Sequence, residues 1–183
     1  MLNECERSLI ISLIKKEVVP AIGCTEPIAV SLCVAKATEV LETVPEKIKV
    51  YLSANILKNA MGVGIPGTKM VGLPIAIALG ALIGKSEYGL QVLKDLKPED
   101  VDTGKKYIEE KRIEIGLKED IDDNLYIEVH CLKNEKEAVA IIKGTHTHFS
   151  HISKNGEVII NECDSNHCEE SKEEIKLSFS KVY

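Results

Sequence analysis

The stretch LYIEVHCLKNEKEAVAIIKG, residues 125–144, decides the class of fold. Apolar and polar side chains alternate in its first part, residues 125–132, and its second part, residues 137–144, is a more continuously apolar run. Alternation with a period of two is typical of a strand with one buried face. The two runs follow each other closely along the chain, which favours antiparallel pairing. The stretch therefore predicts two neighbouring strands of an antiparallel sheet.

Strand patterns also flank this stretch on both sides. RIEIGL at 112–117 alternates, and THFSHIS at 147–153 and EVIIN at 157–161 predict a hairpin about the turn sequence KNGE. Together these segments predict a mostly antiparallel sheet of about five strands, which occupies a β-rich part of residues 111–161. The remaining residues, 162–183, are predicted to be a polar tail with the start of an unfinished helix.

The chain before residue 110 shows helical spacing of its apolar residues instead. Helices are predicted at about 4–18, 25–41, 55–61, 74–83, 88–96 and 98–112, with one short alternating strand at 47–52. The predicted fold class is therefore α+β. A mainly helical part, residues 1–110, packs beside the antiparallel sheet.

Composition limits the possible partners and location. The 183 residues carry a formal net charge of −6, only 4% are aromatic, and no long basic run is present. These features argue against nucleic-acid and anionic-membrane partners. The N-terminus lacks the pattern of a secretory signal, and the longest apolar stretch, residues 71–83, is too short for a bilayer. We therefore expect a cytoplasmic protein whose six cysteines are mostly thiols.

Cys24 lies in the segment AIGCTEPIA, residues 21–29, where a loop becomes a helix. Thr25 is the predicted N-cap, and Glu26 and Pro27 suit the first helical turn. The unpaired N–H groups of a helix N-terminus favour a thiolate, so a low thiol pKa is expected. Three interpretations remain open from the residues alone: an apolar filler, an activated nucleophile, or one ligand of a metal centre.

A second group of polar residues lies in SANILKNAMGVGIPGT, residues 53–68. Asn55, Lys58 and Asn59 share one helical face, and Ser53 precedes them. Hydroxyl, amide and ammonium donors suit a small carboxylate. The alternative is a capped helix with a solvated lysine, followed by an ordinary glycine-containing loop.

The segment HTHFSH, residues 146–151, offers a third possible site. On a strand, His146 and His148 would point to the same face and could bind zinc. A polar strand face is the alternative interpretation. The segment CDSNHC at 163–168 is a weak zinc motif, because no second ligand pair completes it.

Four segments together resemble the L-cysteine desulfidase family, which is related to the α-chain of iron–sulfur L-serine dehydratase. They are VVPAIGCTEPIAV at 18–30, SANILKNAMGVGIPGT at 53–68, GLPIAIALGALIG at 72–84 and IIKGTHTHFSHISKNGEVI at 141–159. The resemblance implies an enzyme with a [4Fe–4S] cluster. That enzyme would eliminate hydrogen sulfide from L-cysteine, or water from L-serine, to give pyruvate and ammonia.

The same resemblance assigns roles to individual residues. Cys24 matches one of three cluster ligands, which makes it a ligand rather than a nucleophile. The donors of the second segment match the part of the family expected to hold the substrate carboxylate and amine: Ser53, Asn55, Lys58 and Asn59. No residue is identified as the general base.

The sequence departs from the family in its length. Full-length members continue into a second half that carries the two other cluster cysteines, so this chain resembles the N-terminal half only and is expected to be inactive alone. The missing ligands would come from a C-terminal half, a partner chain or a homo-oligomer. A non-catalytic module that binds a small amino acid is the alternative function, and a zinc protein that uses His146 and His148 is a more distant one.

Overall fold

The structure is a computed structural model that describes residues 4–18 and 20–162. The chain divides into two compact units, of which the first contains the described residues 4–18 and 20, and the second contains the described residues 21–162. The described part of the first unit contains helix α1, Glu4–Glu17, close to its predicted bounds. The predicted polar tail at 162–183 lies outside the described residues except for its first position.

The second unit contains the remaining helices and all the strands. Its helices are α2 Thr25–Leu41, α3 Ala54–Met61, α4 Leu73–Ile83 and α5 Pro98–Glu109, with a 3₁₀ segment at Ser86–Gln91. Its strands are β1 Lys47–Leu52, β2 Gly64–Ile65, β3 Met70–Val71, β4 Ile113–Leu117, β5 Tyr126–Lys133, β6 Lys136–Lys143, β7 Phe149–Lys154 and β8 Glu157–Asn161. The predicted α+β class is confirmed.

The main sheet has six strands in the order β4-β1-β5-β6-β7-β8. Strand β1 pairs parallel with β4 and antiparallel with β5, and every other pair in this sheet is antiparallel. The sheet is larger than the expected five strands because β1, which lies among the helices in the sequence, inserts between β4 and β5. Strands β2 and β3 form a separate two-stranded hairpin.

One face of the sheet forms the core against α2. The alternation of β5 places Ile127, Val129 and Cys131 on this face, where all three are fully buried. Helix α2 is buried almost all round, since it lies between the sheet and α4. The opposite sheet face carries the polar members of the alternation, including Glu128 and His130.

The region after α4 differs from the predicted helix at 88–96. It forms the 3₁₀ segment Ser86–Gln91, which is interrupted at Gly89, where φ is +53°. A residue in the left-handed region cannot continue a right-handed helix. None of the described helices combines the length and apolar character needed to cross a membrane.

Candidate functional site

The candidate site begins at the N-terminus of α2. The N-cap is Cys24, with φ −68° and ψ 135°, and not the predicted Thr25. Gly23 before it has φ +83°, and a Cβ there would lie 2.8 Å from Cγ of Pro66. Glycine therefore serves two needs: it permits the left-handed turn, and it lets Pro66 of the glycine-containing loop approach the Cys24 segment.

The Cys24 thiol donates a hydrogen bond to Glu26. Its Sγ lies 2.8 Å from Oε2 of that carboxylate. Partial burial raises the pKa of Cys24, and the bond to Glu26 raises it further. The expected low thiol pKa is therefore wrong, because burial and a neighbouring negative charge outweigh the effect of the helix N-terminus. In this state the thiol is protonated at neutral pH.

Glu26 joins the two sequence motifs. Its Oε1 accepts a hydrogen bond from Nδ2 of Asn59 at 3.4 Å, a long contact, and its Oε2 also accepts from Oγ1 of Thr25 at 3.3 Å. The hydrogen bond from Cys24 is the largest of the influences that lower the pKa of Glu26, so this carboxyl is ionised at neutral pH. The structure thus brings Cys24 and Asn59 to the same carboxylate, although 35 positions separate them.

The predicted substrate-binding residues divide into two environments. Asn55, Lys58 and Asn59 lie on the exposed face of α3, whose opposite face buries Ile56 and Ala60. Ser53 is instead buried as the N-cap of α3, and its hydroxyl donates to the carbonyl of Asn124 at 2.8 Å. The role of these four residues in substrate binding stays a prediction, and the geometry gives Ser53 a separate structural contact.

Replacing Ser53 with alanine tests that structural contact. We expect the Ser53→Ala variant to lose about 1 kcal/mol of unfolding free energy, because the buried hydroxyl of Ser53 and its hydrogen bond to the carbonyl of Asn124 are removed. Urea unfolding followed by circular dichroism measures the change. The exposed Asn55→Ala variant is the matched control and should stay within about 0.5 kcal/mol of wild type. Equal stabilities for wild type and Ser53→Ala would contradict the assigned contact.

The other described cysteines are separated from this site by their burial. Cys33 is fully buried in α2, and its thiol donates to the carbonyl of Ala140 at 3.3 Å. Cys131 is fully buried in β5, with its sulfur 3.7 Å from Oγ1 of Thr38. Among cysteine side chains that the structure describes, Cys24 alone is partly exposed. Of these three cysteines, only Cys24 is accessible enough to bind a metal, so they supply one ligand of an iron–sulfur cluster and not a complete set.

The two histidines of the zinc interpretation do not lie on a strand. His146 is in the turn that follows β6, and His148 directly precedes β7, so the prediction of a shared strand face is wrong. His148 pairs with Glu162 through Nε2. Within residues 4–18 and 20–162, no group of three or more histidine, cysteine or acidic side chains is placed to hold a metal ion.

Sequence reasoning missed two polar features. It treated Glu26 only as a favourable first-turn residue, although its position two residues after Cys24 was the available signal. It also gave no role to Glu128 and His130, which lie on the sheet face opposite α2 and hydrogen bond to each other at 2.8 Å. Two ionisable residues spaced by two within a strand were the signal there, because they share a face.

Comparison with known proteins gives relatives but no activity. The chain is 63% identical over 182 residues to the UPF0597 protein of Bacteroides fragilis, a match that covers 100% of this chain and 42% of that protein. It is 48% identical to the UPF0597 protein of Porphyromonas gingivalis over 95% of this chain and 42% of that protein. The UPF0597 protein of Photobacterium profundum is 44% identical over 80% of this chain and 34% of that protein. No family model matches the chain. No solved structure matches it either.

These relatives correct the resemblance drawn from the sequence. They carry no enzyme name, and in two of them the match covers the whole of this chain or nearly so. The assignment to the N-terminal half of the L-cysteine desulfidase family is therefore wrong. The chain is similar over its length to proteins named UPF0597, and it spans about 42% of the length of the first of these relatives.

Proposed function

We propose that this chain is part of a lyase that acts on a small β-substituted amino acid, either L-cysteine or L-serine. The observation that carries the proposal is the hydrogen-bonded group of Cys24, Glu26 and Asn59. It places a thiol and a carboxylate beside the exposed donors of α3. A thiol that can bind a metal, next to donors for a small anion, is an arrangement that suits an elimination site.

The proposed reaction breaks two bonds of the substrate. The Cα–H bond gives its proton to a base, and the Cβ substituent leaves as hydrogen sulfide or water. Addition of one water then releases ammonia and leaves pyruvate. In this proposal Asn55, Lys58 and Asn59 hold the substrate carboxylate, because amide and ammonium groups donate to it.

Cys24 would be one ligand of a [4Fe–4S] cluster. Among the side chains that the structure describes, Cys24 supplies the only accessible thiol, so these side chains do not form the complete ligand set. The other ligands would come from the rest of a longer protein, from a partner chain or from a second copy. Since the chain spans about 42% of its Bacteroides fragilis relative, the activity of the whole protein is part of the proposal.

Anaerobic reconstitution with iron and sulfide tests the proposal. The Bacteroides fragilis relative in its full length is expected to gain a visible cluster spectrum and to release pyruvate from L-cysteine or L-serine. This chain alone is expected to bind iron weakly, and the Cys24→Ala variant is expected to lose that binding. Cys33→Ala is the matched control, because its buried thiol should not affect iron content.

Two results would count against the lyase. Failure of the reconstituted relative to release pyruvate from either amino acid would overturn the proposed reaction. Equal iron contents in the wild-type chain and Cys24→Ala would overturn the role of Cys24 as a ligand. Assay of the full-length relative separates a wrong function from an incomplete chain.

A non-catalytic module that binds a small amino acid is the second candidate. The observation that favours it is the exposure of Asn55 and Lys58, which form no hydrogen bond or ion pair with other described residues. Such donors can bind an amino acid without any chemical step. Amino-acid binding by the metal-free chain, together with no pyruvate from the reconstituted relative, would favour this candidate.

A further inference from the structure

Glu26 carries a negative charge that has no cationic partner among the residues that the structure describes. Its described hydrogen-bond donors are a thiol, a hydroxyl and an amide, from Cys24, Thr25 and Asn59. No lysine, arginine or histidine nitrogen of the described chain lies within ion-pair distance of its carboxylate. By contrast, the more deeply buried Glu128 pairs with Lys118 and His130. A half-buried carboxylate that only neutral groups contact retains most of its capacity to attract a cation.

Lys58, in the same site, carries a positive charge that has no anionic partner among the described residues. Its ammonium group is exposed on α3. The next residue, Asn59, reaches Glu26 with its amide. Among the described residues, the site therefore contains an anion with no cationic partner, Glu26, and a cation with no anionic partner, Lys58, and Asn59, the neighbour of Lys58 in the sequence, contacts Glu26.

A free α-amino acid carries the charges that would satisfy both groups. Its ammonium and its carboxylate are attached to the same carbon atom, so they face in different directions from one centre. We infer that Glu26 accepts the α-ammonium group of the substrate while Lys58 and Asn59 bind its carboxylate. Glu26 is then a specificity-determining residue, and the substrate class is the free zwitterionic amino acid.

This inference rests on the proposed function, and it excludes two kinds of ligand. A carboxylic acid without the amine leaves Glu26 unpaired, so it loses a charge-assisted hydrogen bond. A peptide-bonded residue lacks at least one of the two charges at its α-carbon, so it cannot satisfy both ends. The carboxylate of Glu26 has room for the new donor, since two oxygens accept about four hydrogen bonds and three neutral donors contact them here.

Ligand titration of the metal-free chain, followed by NMR chemical shifts, tests the assignment without any turnover. The ligands are L-serine, L-cysteine with a reductant, 3-hydroxypropionate, which lacks the amine, and ethanolamine, which lacks the carboxylate. The wild-type chain is expected to bind L-serine at least tenfold more tightly than either analogue. Glu26→Gln, which keeps a similar shape and an acceptor, is expected to bind L-serine about tenfold or more weakly and 3-hydroxypropionate as before.

Lys58→Met provides the opposite pattern, with weaker binding of L-serine and unchanged binding of ethanolamine. Glu109→Gln removes an exposed carboxylate from α5 and is the matched control. Thermal unfolding of each variant establishes that it folds. The inference is overturned if the wild-type chain binds L-serine no better than 3-hydroxypropionate, or if Glu26→Gln affects both ligands equally or neither.

The role of Glu26 and the proposed lyase reaction can fail separately, and the two experiments distinguish these results. Amino-acid selectivity that depends on Glu26, with no pyruvate from the reconstituted relative, keeps this inference and rejects the reaction. Pyruvate release with no role for Glu26 in selectivity keeps the reaction and rejects the inference.

Discussion

Replacing Gly80 with alanine is expected to lower the unfolding free energy by about 2–3 kcal/mol, although alanine is the better helix former by about 1 kcal/mol. Gly80 lies in the middle of α4, where that helix crosses α2. A Cβ at this position would lie 2.6 Å from the carbonyl oxygen of Ser31 and 3.1 Å from its Cα. These are backbone atoms of a helix packed on both sides, so they cannot move aside cheaply.

The same substitution would also disturb a buried hydrogen bond. The Ser31 hydroxyl donates to the carbonyl of Ala76 at 2.7 Å across the same helix crossing. Separation of α2 from α4 would lengthen this bond inside the core, where its loss carries the full desolvation cost. Urea unfolding of Gly80→Ala, followed by circular dichroism, measures the combined effect.

Gly104→Ala is the matched control for the helix-crossing prediction. A Cβ at Gly104 in α5 would meet the Cδ1 atom of Ile75 at 3.0 Å and the Cδ2 atom of Leu79 at 3.4 Å. Both are ends of flexible side chains, so a small rotation relieves the contact and the gain in helix propensity is retained. The unfolding free energy of Gly104→Ala is expected to lie within about 1 kcal/mol of the wild-type value. Equal stability for Gly80→Ala and Gly104→Ala would contradict the close backbone approach.

The second large effect is expected from Glu128 on the sheet face opposite α2. Glu128 is only 9% exposed. Its carboxylate accepts from Nζ of Lys118 at 2.6 Å and the hydroxyl of Tyr126 at 2.7 Å, and it pairs with Nε2 of His130 at 2.8 Å. The other ring nitrogen of His130 lies 2.9 Å from Oε1 of Glu137. With a carboxylate at each ring nitrogen, the doubly protonated imidazolium satisfies both contacts.

These contacts make stability depend on pH in two directions. The bond to His130, followed by those to Lys118 and Tyr126, lowers the pKa of Glu128 to about 2 from its ordinary 4.5. Its contribution, about 3 kcal/mol, is therefore present above pH 4.5 and is lost as the pH falls towards 2. The bond to Glu128 raises the pKa of His130 above its ordinary 6.5. The contribution of His130 is present below pH 6.5 and is lost as the pH rises through its raised pKa.

Glu128→Gln is expected to remove most of the pH dependence of the unfolding free energy below pH 4.5. At pH 5.5 the variant should be about 3 kcal/mol less stable than wild type, and the difference should shrink as the pH approaches 2. Urea unfolding at pH 2.5, 5.5 and 8 measures both limbs. Glu109→Gln, which alters an exposed carboxylate, should follow the wild-type profile. A Glu128→Gln difference that does not change between pH 5.5 and 2.5 would reject the electrostatic explanation.

Local pattern was sufficient for most of the secondary structure. The runs at 47–52 and 157–161 became β1 and β8 with the predicted bounds, and α2 begins and ends where apolar spacing placed it. These elements were predictable because one buried face imposes a period of two or 3.6 on nearby residues. The insertion of β1 between β4 and β5 was not predictable, since residues more than 60 positions apart form the pair with β4.

The candidate site divides in the same way between sequence and tertiary structure. By itself the sequence determined that a thiol precedes a helix, and that amide and ammonium donors share one face of α3. Only the tertiary structure placed Asn59 against Glu26, joined the buried hydroxyl of Ser53 to the carbonyl of Asn124 and left Glu26 with no cationic partner in the described part of the chain. The thiol pKa of Cys24 also depended on tertiary structure, because burial and the Glu26 charge oppose the helix N-terminus. Each of these features depends on groups that folding brings together from distant positions, and the periodicity of the sequence carries no information about such contacts.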